Sequence, residues 1–222
     1  MRKGIAGPAV VVCGLAMTTV SVVPAAASAP RSGPGPSGVT IEIAAVNGSG
    51  CPPGTAGVAL SEDRNTFTVT HRGYSARVGD GSKPTDFLRN CLLGVRVHVP
   101  RGFTYAISSA DHRGYASLQP GAEAMLYTRY YFQGAPGTTD ITHRLPGPFK
   151  RYWQFVDEVP VPELVWRPCG EERNFNIVTE LQVNAGSSDP SAVSYISTSG
   201  ADGNSVMTYQ FAWKTCPSRH LG

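Results

Sequence analysis

Charge is scarce in this chain and nearly balanced. Only 16% of residues are charged, with 19 basic and 16 acidic side chains. Residues 1–29 contain Arg2 and Lys3 but no acid, so without them the balance is 17 − 16, or +1. Nucleic acid binding needs a basic face that neutralises several phosphates, and this composition offers none. Beyond residue 29 no run approaches the ~20 apolar residues that cross a bilayer as a helix. No two cysteines stand two to four residues apart, the spacing of paired zinc ligands. The His-Glu-x-x-His and Gly-x-Ser-x-Gly patterns are missing, and Asp202-Gly203 lacks the alternating acids of a calcium loop. These absences point away from zinc hydrolase, α/β-hydrolase and calcium-sensor chemistry, and they predict no cofactor and no metal.

What is present begins with a leader. Arg2 and Lys3 precede Ile5 to Val23, which is mostly apolar and uncharged. Ala25-Ala26-Ala27-Ser28-Ala29 then supplies the small residues that a signal peptidase accepts. Residues 1–29 therefore read as a signal peptide cleaved after Ala29 or Ala27, and the mature protein as extracellular and free of the membrane. Pro30 to Gly38, PRSGPGPSG, reads as a flexible linker. Residues 39–217 read as a single domain and 218–222 as a tail. Removal of the leader leaves 222 − 29 = 193 residues, enough for one domain with a real core.

Cys13 departs with the leader. The remaining cysteines, Cys51, Cys91, Cys169 and Cys216, are even in number, as a disulfide framework requires. Four cysteines allow three connectivities, and sequence alone does not choose among them. The expectation adopted is Cys51–Cys91 with Cys169–Cys216, which closes the shorter loops, one in each half of the chain.

Hydrophobic periodicity from Val39 onward is that of β-strands. Thr66-Phe67-Thr68-Val69-Thr70 alternates strictly. Leu93, Val95, Val97 and Val99 alternate with Gly94, Arg96 and His98, and Pro100 ends the run. Phe103, Tyr105 and Ile107, then Phe175 to Val183, then Met207 to Trp213 repeat the pattern. Period two means one buried and one wet face. Ala122 to Phe132 is apolar or aromatic on both faces. Gly and Pro clusters separate these runs, no helix of any length is predicted, and Glu62 to Asn65 fits a single turn. The predicted fold is all-β: an antiparallel two-sheet β-sandwich with two disulfides, for which a jelly-roll-like winding is one compatible form.

Candidate binding residues come from two places. Asp111-His112-Arg113-Gly114-Tyr115 is the densest polar cluster; it reads as a turn in which Gly114 takes a special dihedral, with a ligand-facing loop as the functional alternative. The second place is an aromatic segment containing Tyr127, Tyr130, Tyr131 and Phe132. Neighbours on a strand face opposite ways, so one of Tyr130 and Tyr131 points outward. The candidates are thus Tyr127, Tyr131, Asp111, Arg113 and Tyr115. Histidines 71, 112 and 143 sit in turn-like polar contexts, and the pairs Asp157-Glu158 and Glu171-Glu172 read as solvated surface. No catalytic residue is nominated.

Several motifs carry a family resemblance. Gly48-Ser49-Gly50-Cys51-Pro52 with Gly54, Asn90-Cys91, Pro100-Arg101-Gly102-Phe103, Arg113-Gly114-Tyr115-Ala116, Tyr131-Phe132-Gln133-Gly134, Trp166-Arg167-Pro168-Cys169 and Trp213-Lys214-Thr215-Cys216 occur in that order. From about Val39 to Cys216 the chain resembles the domain-of-unknown-function family numbered 4360. The resemblance implies a secreted all-β protein of actinobacteria or fungi with no assigned activity, and it supplies no site residues. The functional expectation is a monomeric, non-catalytic protein that binds an extracellular ligand, a polysaccharide or a protein. The alternatives are a polysaccharide-active enzyme with carboxylates from separate strands, and an extracellular inhibitor or effector.

Overall fold

The computed structural model describes residue 30, residues 33–198 and residues 204–217. The expected leader (1–29) and tail (218–222) lie outside the described residues. Twelve strands follow one another: β1 (Thr40–Asn47), β2 (Ala56–Leu60), β3 (Thr66–Arg72), β4 (Ser75–Val78), β5 (Leu88–His98), β6 (Phe103–Leu118), β7 (Glu123–Phe132), β8 (Thr139–Pro146), β9 (Phe149–Glu158), β10 (Phe175–Asn184), β11 (Ser194–Ser197) and β12 (Asn204–Thr215). The one helical element among the described residues is a 3-10 turn at Val161–Glu163.

All pairings are antiparallel. One sheet has five strands in the order β1-β5-β10-β7-β8. The other has seven, in the order β2-β3-β12-β6-β11-β4, with β9 added to β6. β12 and β11 follow one another along one edge of β6, at Phe103–Asp111 and Tyr115–Ser117; β9 takes the other edge over Ser109–Leu118. The all-β two-sheet sandwich expected from the sequence is the fold observed.

Alternation decides which side chains meet between the sheets. Phe67 and Val69 of β3, Tyr105 of β6 and Tyr209, Phe211 and Trp213 of β12 are buried on the inner face of the seven-stranded sheet. Leu93 and Val95 of β5, Leu126 and Phe132 of β7 and Leu181 of β10 are buried opposite them. Tyr105 meets Phe132 edge-on across the gap at 5.3 Å. Each such burial contributes about 1.5–3 kcal/mol, offset by the conformational entropy of fixing the chain. Ala122 to Phe132, read as apolar on both faces, alternates after all: Leu126, Tyr130 and Phe132 are buried, while Tyr127 and Tyr131 look outward.

β6 contains the feature that sets the functional face. Ser109 pairs with Gln210 but Ile107 pairs with Phe211, so Ser108 is an extra residue without an opposite number. Such a bulge reverses which parity points inward. Before it Tyr105 and Ile107 are inside; after it the inner positions are Ala110, His112, Gly114 and Ala116. Asp111, Arg113 and Tyr115 are therefore carried to the outer face. This corrects the expectation of a turn: the cluster is mid-strand. Gly114 takes no special dihedral either. It is glycine because a Cβ there would lie 1.9 Å from Ser197 O and 2.5 Å from the Trp153 ring.

Both disulfides have the expected partners. Cys51–Cys91 ties the segment before β2 to β5, and Cys169–Cys216 ties the loop before β10 to the end of β12. Within the Pro/Gly segment, Gly35 N donates to Asp63 O at 2.8 Å, and Gly35 O accepts from Arg64 Nε at 3.2 Å.

Candidate functional site

The five candidate residues fall on opposite outer faces of the sandwich. Tyr127 and Tyr131 project from β7 on the five-stranded sheet. There the Tyr127 hydroxyl donates to Asp140, which also accepts from Arg129 Nε at 2.6 Å and Thr138 Oγ1 at 2.8 Å. Tyr127 is thus committed to an internal network. Its hydroxyl is held protonated to higher pH by that bond to Asp140 and by the neighbouring negative charge.

Asp111, Arg113 and Tyr115 share the outer face of the seven-stranded sheet, and the fold adds residues the sequence did not single out as partners. Register places Tyr152 of β9 opposite Tyr115 and Gln154 opposite Arg113. Tyr195 of β11 lies diagonally beside Tyr115. The Tyr115 ring is 6.1 Å from Tyr195 at 33° and 5.2 Å from Tyr152 at 77°. Three adjacent strands thus present two mutually tilted rings, with the third standing edge-on to the middle one. Tyr152 is 60% exposed.

A polar patch adjoins the rings. The Asp111 carboxylate accepts from Arg113 Nη2 at 2.6 Å, from Arg113 Nε at 3.1 Å and from Gln154 Nε2 at 3.0 Å. Partial burial pushes its pKa up, but hydrogen bonds from Arg113 and Gln154 outweigh that and hold it below the usual value. A charged carboxylate and a charged guanidinium therefore stand fixed beside the tyrosines at neutral pH. Tyr195 and Gln154 lay beyond sequence reasoning because pairing across β9, β6 and β11 leaves no local signal.

The histidines need correction. His71, His112 and His143 are not in turns but on β3, β6 and β8. His71 follows Phe67 and Val69 at the same parity and is buried. For His112 the Ser108 bulge turns the ring inward. Asp157 is likewise not surface: it is 5% exposed. His143 Nε2 lies 2.5 Å from Asp157 Oδ1, His112 Nε2 lies 3.5 Å from Asp157 Oδ2, and His112 Nε2 is 2.8 Å from the Tyr130 hydroxyl. Burial pushes the Asp157 pKa up, yet the two imidazoles more than offset it and hold the carboxyl below its usual range.

Tyrosine, histidine and aspartate together suggest proton transfer, but a base must reach its substrate. Tyr130 borders a cavity of only about 10 Å³, room for about one water. The cluster instead joins the sheets, with Tyr130 and His143 from one and His112 and Asp157 from the other. Cys51, Cys91 and His71 also bring ligand-type atoms within 4.8 Å of one another. Both sulfurs are joined in the disulfide, so neither offers the thiolate that a metal takes.

The family described as Domain of unknown function (DUF4360) matches residues 37–216. An "Uncharacterized secreted protein" of Arthroderma benhamiae is 31% identical over 183 residues, spanning 82% of this chain and 74% of its own length. Secretion is shared with this fungal relative and fits the two disulfides. Among solved structures, the enzymatically active domain of bacteriophage CBA120 tailspike protein 4 is 12% identical with a TM-score of 0.26, covering 81% of this chain and 20% of its own. The Cowpea Mosaic Virus empty particle protein is 10% identical with a TM-score of 0.25, covering 90% of each chain. At such scores these two likenesses carry no argument.

Proposed function

This chain belongs to the DUF4360 family, whose description assigns no activity, and from the geometry we propose that it is a secreted, non-catalytic protein that binds an extracellular polysaccharide. The observation that carries this reading is the tyrosine group Tyr195–Tyr115–Tyr152 across three adjacent strands, beside Asp111, Arg113 and Gln154. A sugar ring has an apolar face and a polar rim. Tyrosine rings cover the first, and each hydroxyl can exchange hydrogen bonds at the second. Arg113 and Asp111 are positioned to take up the sugar hydroxyls without a new charge being ordered. The rings stand on an outer sheet face with Tyr152 largely exposed, which suits a chain rather than a small molecule enclosed in a pocket.

Retention on insoluble cellulose, chitin and peptidoglycan tests this. Tyr115→Ala and Tyr152→Ala are each expected to lower retention on one of these by about tenfold. Tyr131→Ala, on the opposite sheet, is expected to leave it unchanged. Wild-type protein retained on none of the three, or all variants retained alike, defeats the proposal.

A further inference from the structure

A second site is independent of the tyrosine face. At the start of β6, far along the strand from Tyr115, lies a cleft of about 740 Å³. That is within the range of small-molecule sites. The β5–β6 turn (Arg101, Phe103), the segment carrying Arg167, Glu171 and Glu172, and the Cys169–Cys216 disulfide line it.

Arg167 is the unusual residue there. Its backbone is fixed on β6: the N–H donates to Tyr105 O at 2.9 Å, and the carbonyl accepts from Thr104 Oγ1 at 2.5 Å. The residue is 5% exposed. Its guanidinium lies over the Tyr105 ring, 5.6 Å from the centroid. Nη2 donates to Phe103 O at 3.3 Å, while the buried Nε has no hydrogen-bond partner. Among the described residues no carboxylate lies within ion-pair distance of it. Burial accordingly pulls its pKa below the usual value.

A buried charge without a partner is costly, and native structures pair such charges. The two acids of the cleft are placed elsewhere. Glu171 Oε2 is 2.6 Å from Arg173 Nη2. The Glu172 side chain is 76% exposed and 3.5 Å from His98 Nδ1. A planar guanidinium with free donors matches the two oxygens of a carboxylate or phosphate, and Arg101 adds a second positive charge to the lining. We propose that this cleft binds a small extracellular anion through a carboxylate or phosphate group held by Arg167, with Glu172 as the competing internal acid.

Titration calorimetry on the intact secreted chain tests this, with inorganic phosphate, glucuronate and uncharged glucose as probes at constant ionic strength. Saturable binding of phosphate, glucuronate or both, without glucose, is expected up to roughly 10 mM. Phosphate alone marks a phosphate ligand, and glucuronate alone a carboxylate. Arg167→Gln is expected to weaken binding at least about tenfold. Glu172→Gln, at an exposed position, is expected to tighten it about threefold by removing the competitor. Binding of neither anion, equal binding by Arg167→Gln, or unchanged binding by Glu172→Gln overturns the proposal. If Arg167→Gln fails to fold, the Glu172→Gln comparison decides. The polysaccharide reading is untouched by either result, because its residues lie farther along β6 and on β9 and β11.

Discussion

His71 and Asp157 are both buried ionisable groups, and they respond to acid in different windows. Burial pulls the His71 pKa down to about 4. The unfolded chain would take up a proton near pH 6.5, while the folded chain resists until about 4. Between those values the unfolded state binds more protons, so stability falls as pH falls, by up to roughly 3 kcal/mol. Denaturant unfolding at pH 7 and pH 4.5 should show this loss. His71→Phe, which can keep the edge contact with Tyr74 at 5.7 Å, should remove most of it; an unchanged pH slope in that variant would refute the assignment. Asp157 has the depressed carboxylate pKa, so its contribution is present above the ordinary carboxylate pKa and is lost only at lower pH. At this scale the sequence was partly misleading. A histidine between polar neighbours looks exposed, and only strand parity reveals that it faces the core.

Strands β8 and β9 follow one another in the chain but belong to different sheets, β8 to the five-stranded and β9 to the seven-stranded one. Each is an edge strand, and edges need covering or pinning. Asp157 and His143 pin them together, and the His143 ring stacks on Phe155 with centroids 4.1 Å apart. Asp157→Asn replaces the buried carboxylate shared by the two imidazoles with a neutral amide. It is expected to cost about 1.5–3 kcal/mol, the scale of a hydrogen bond to a charged group, read as a lower urea midpoint at unchanged slope. A loss below about 0.5 kcal/mol would show that packing alone closes this edge. β6 teaches the complementary lesson. Its alternation was legible as far as Ile107, but the extra Ser108 inverts the parity beyond it. A bulge depends on the partner strand's count, which is not written in β6 itself.

Across the whole molecule the disulfides sit at separate places and close loops of 40 and 47 residues. In the chain-entropy account each restrains the unfolded state by about 4 kcal/mol. Replacing Cys51 and Cys91 together by alanine, and separately Cys169 and Cys216, should each lower unfolding free energy by about 2–4 kcal/mol. With no shared partners the two losses should add. A negligible loss for either pair would assign its role to something other than stability. Cysteine parity, the two-residue period and the Gly/Pro punctuation established the disulfide count and an all-β sandwich from sequence alone, and the expected leader pointed to secretion. Each of these is a local or compositional property, readable one segment at a time. The grouping of Tyr115 with Tyr152 and Tyr195, the separation of Tyr127 and Tyr131 onto the far face, and the burial of Arg167, His112 and Asp157 were decided only by tertiary structure. They depend on register between strands distant in sequence, and a one-residue change in register moves every side chain to the other face.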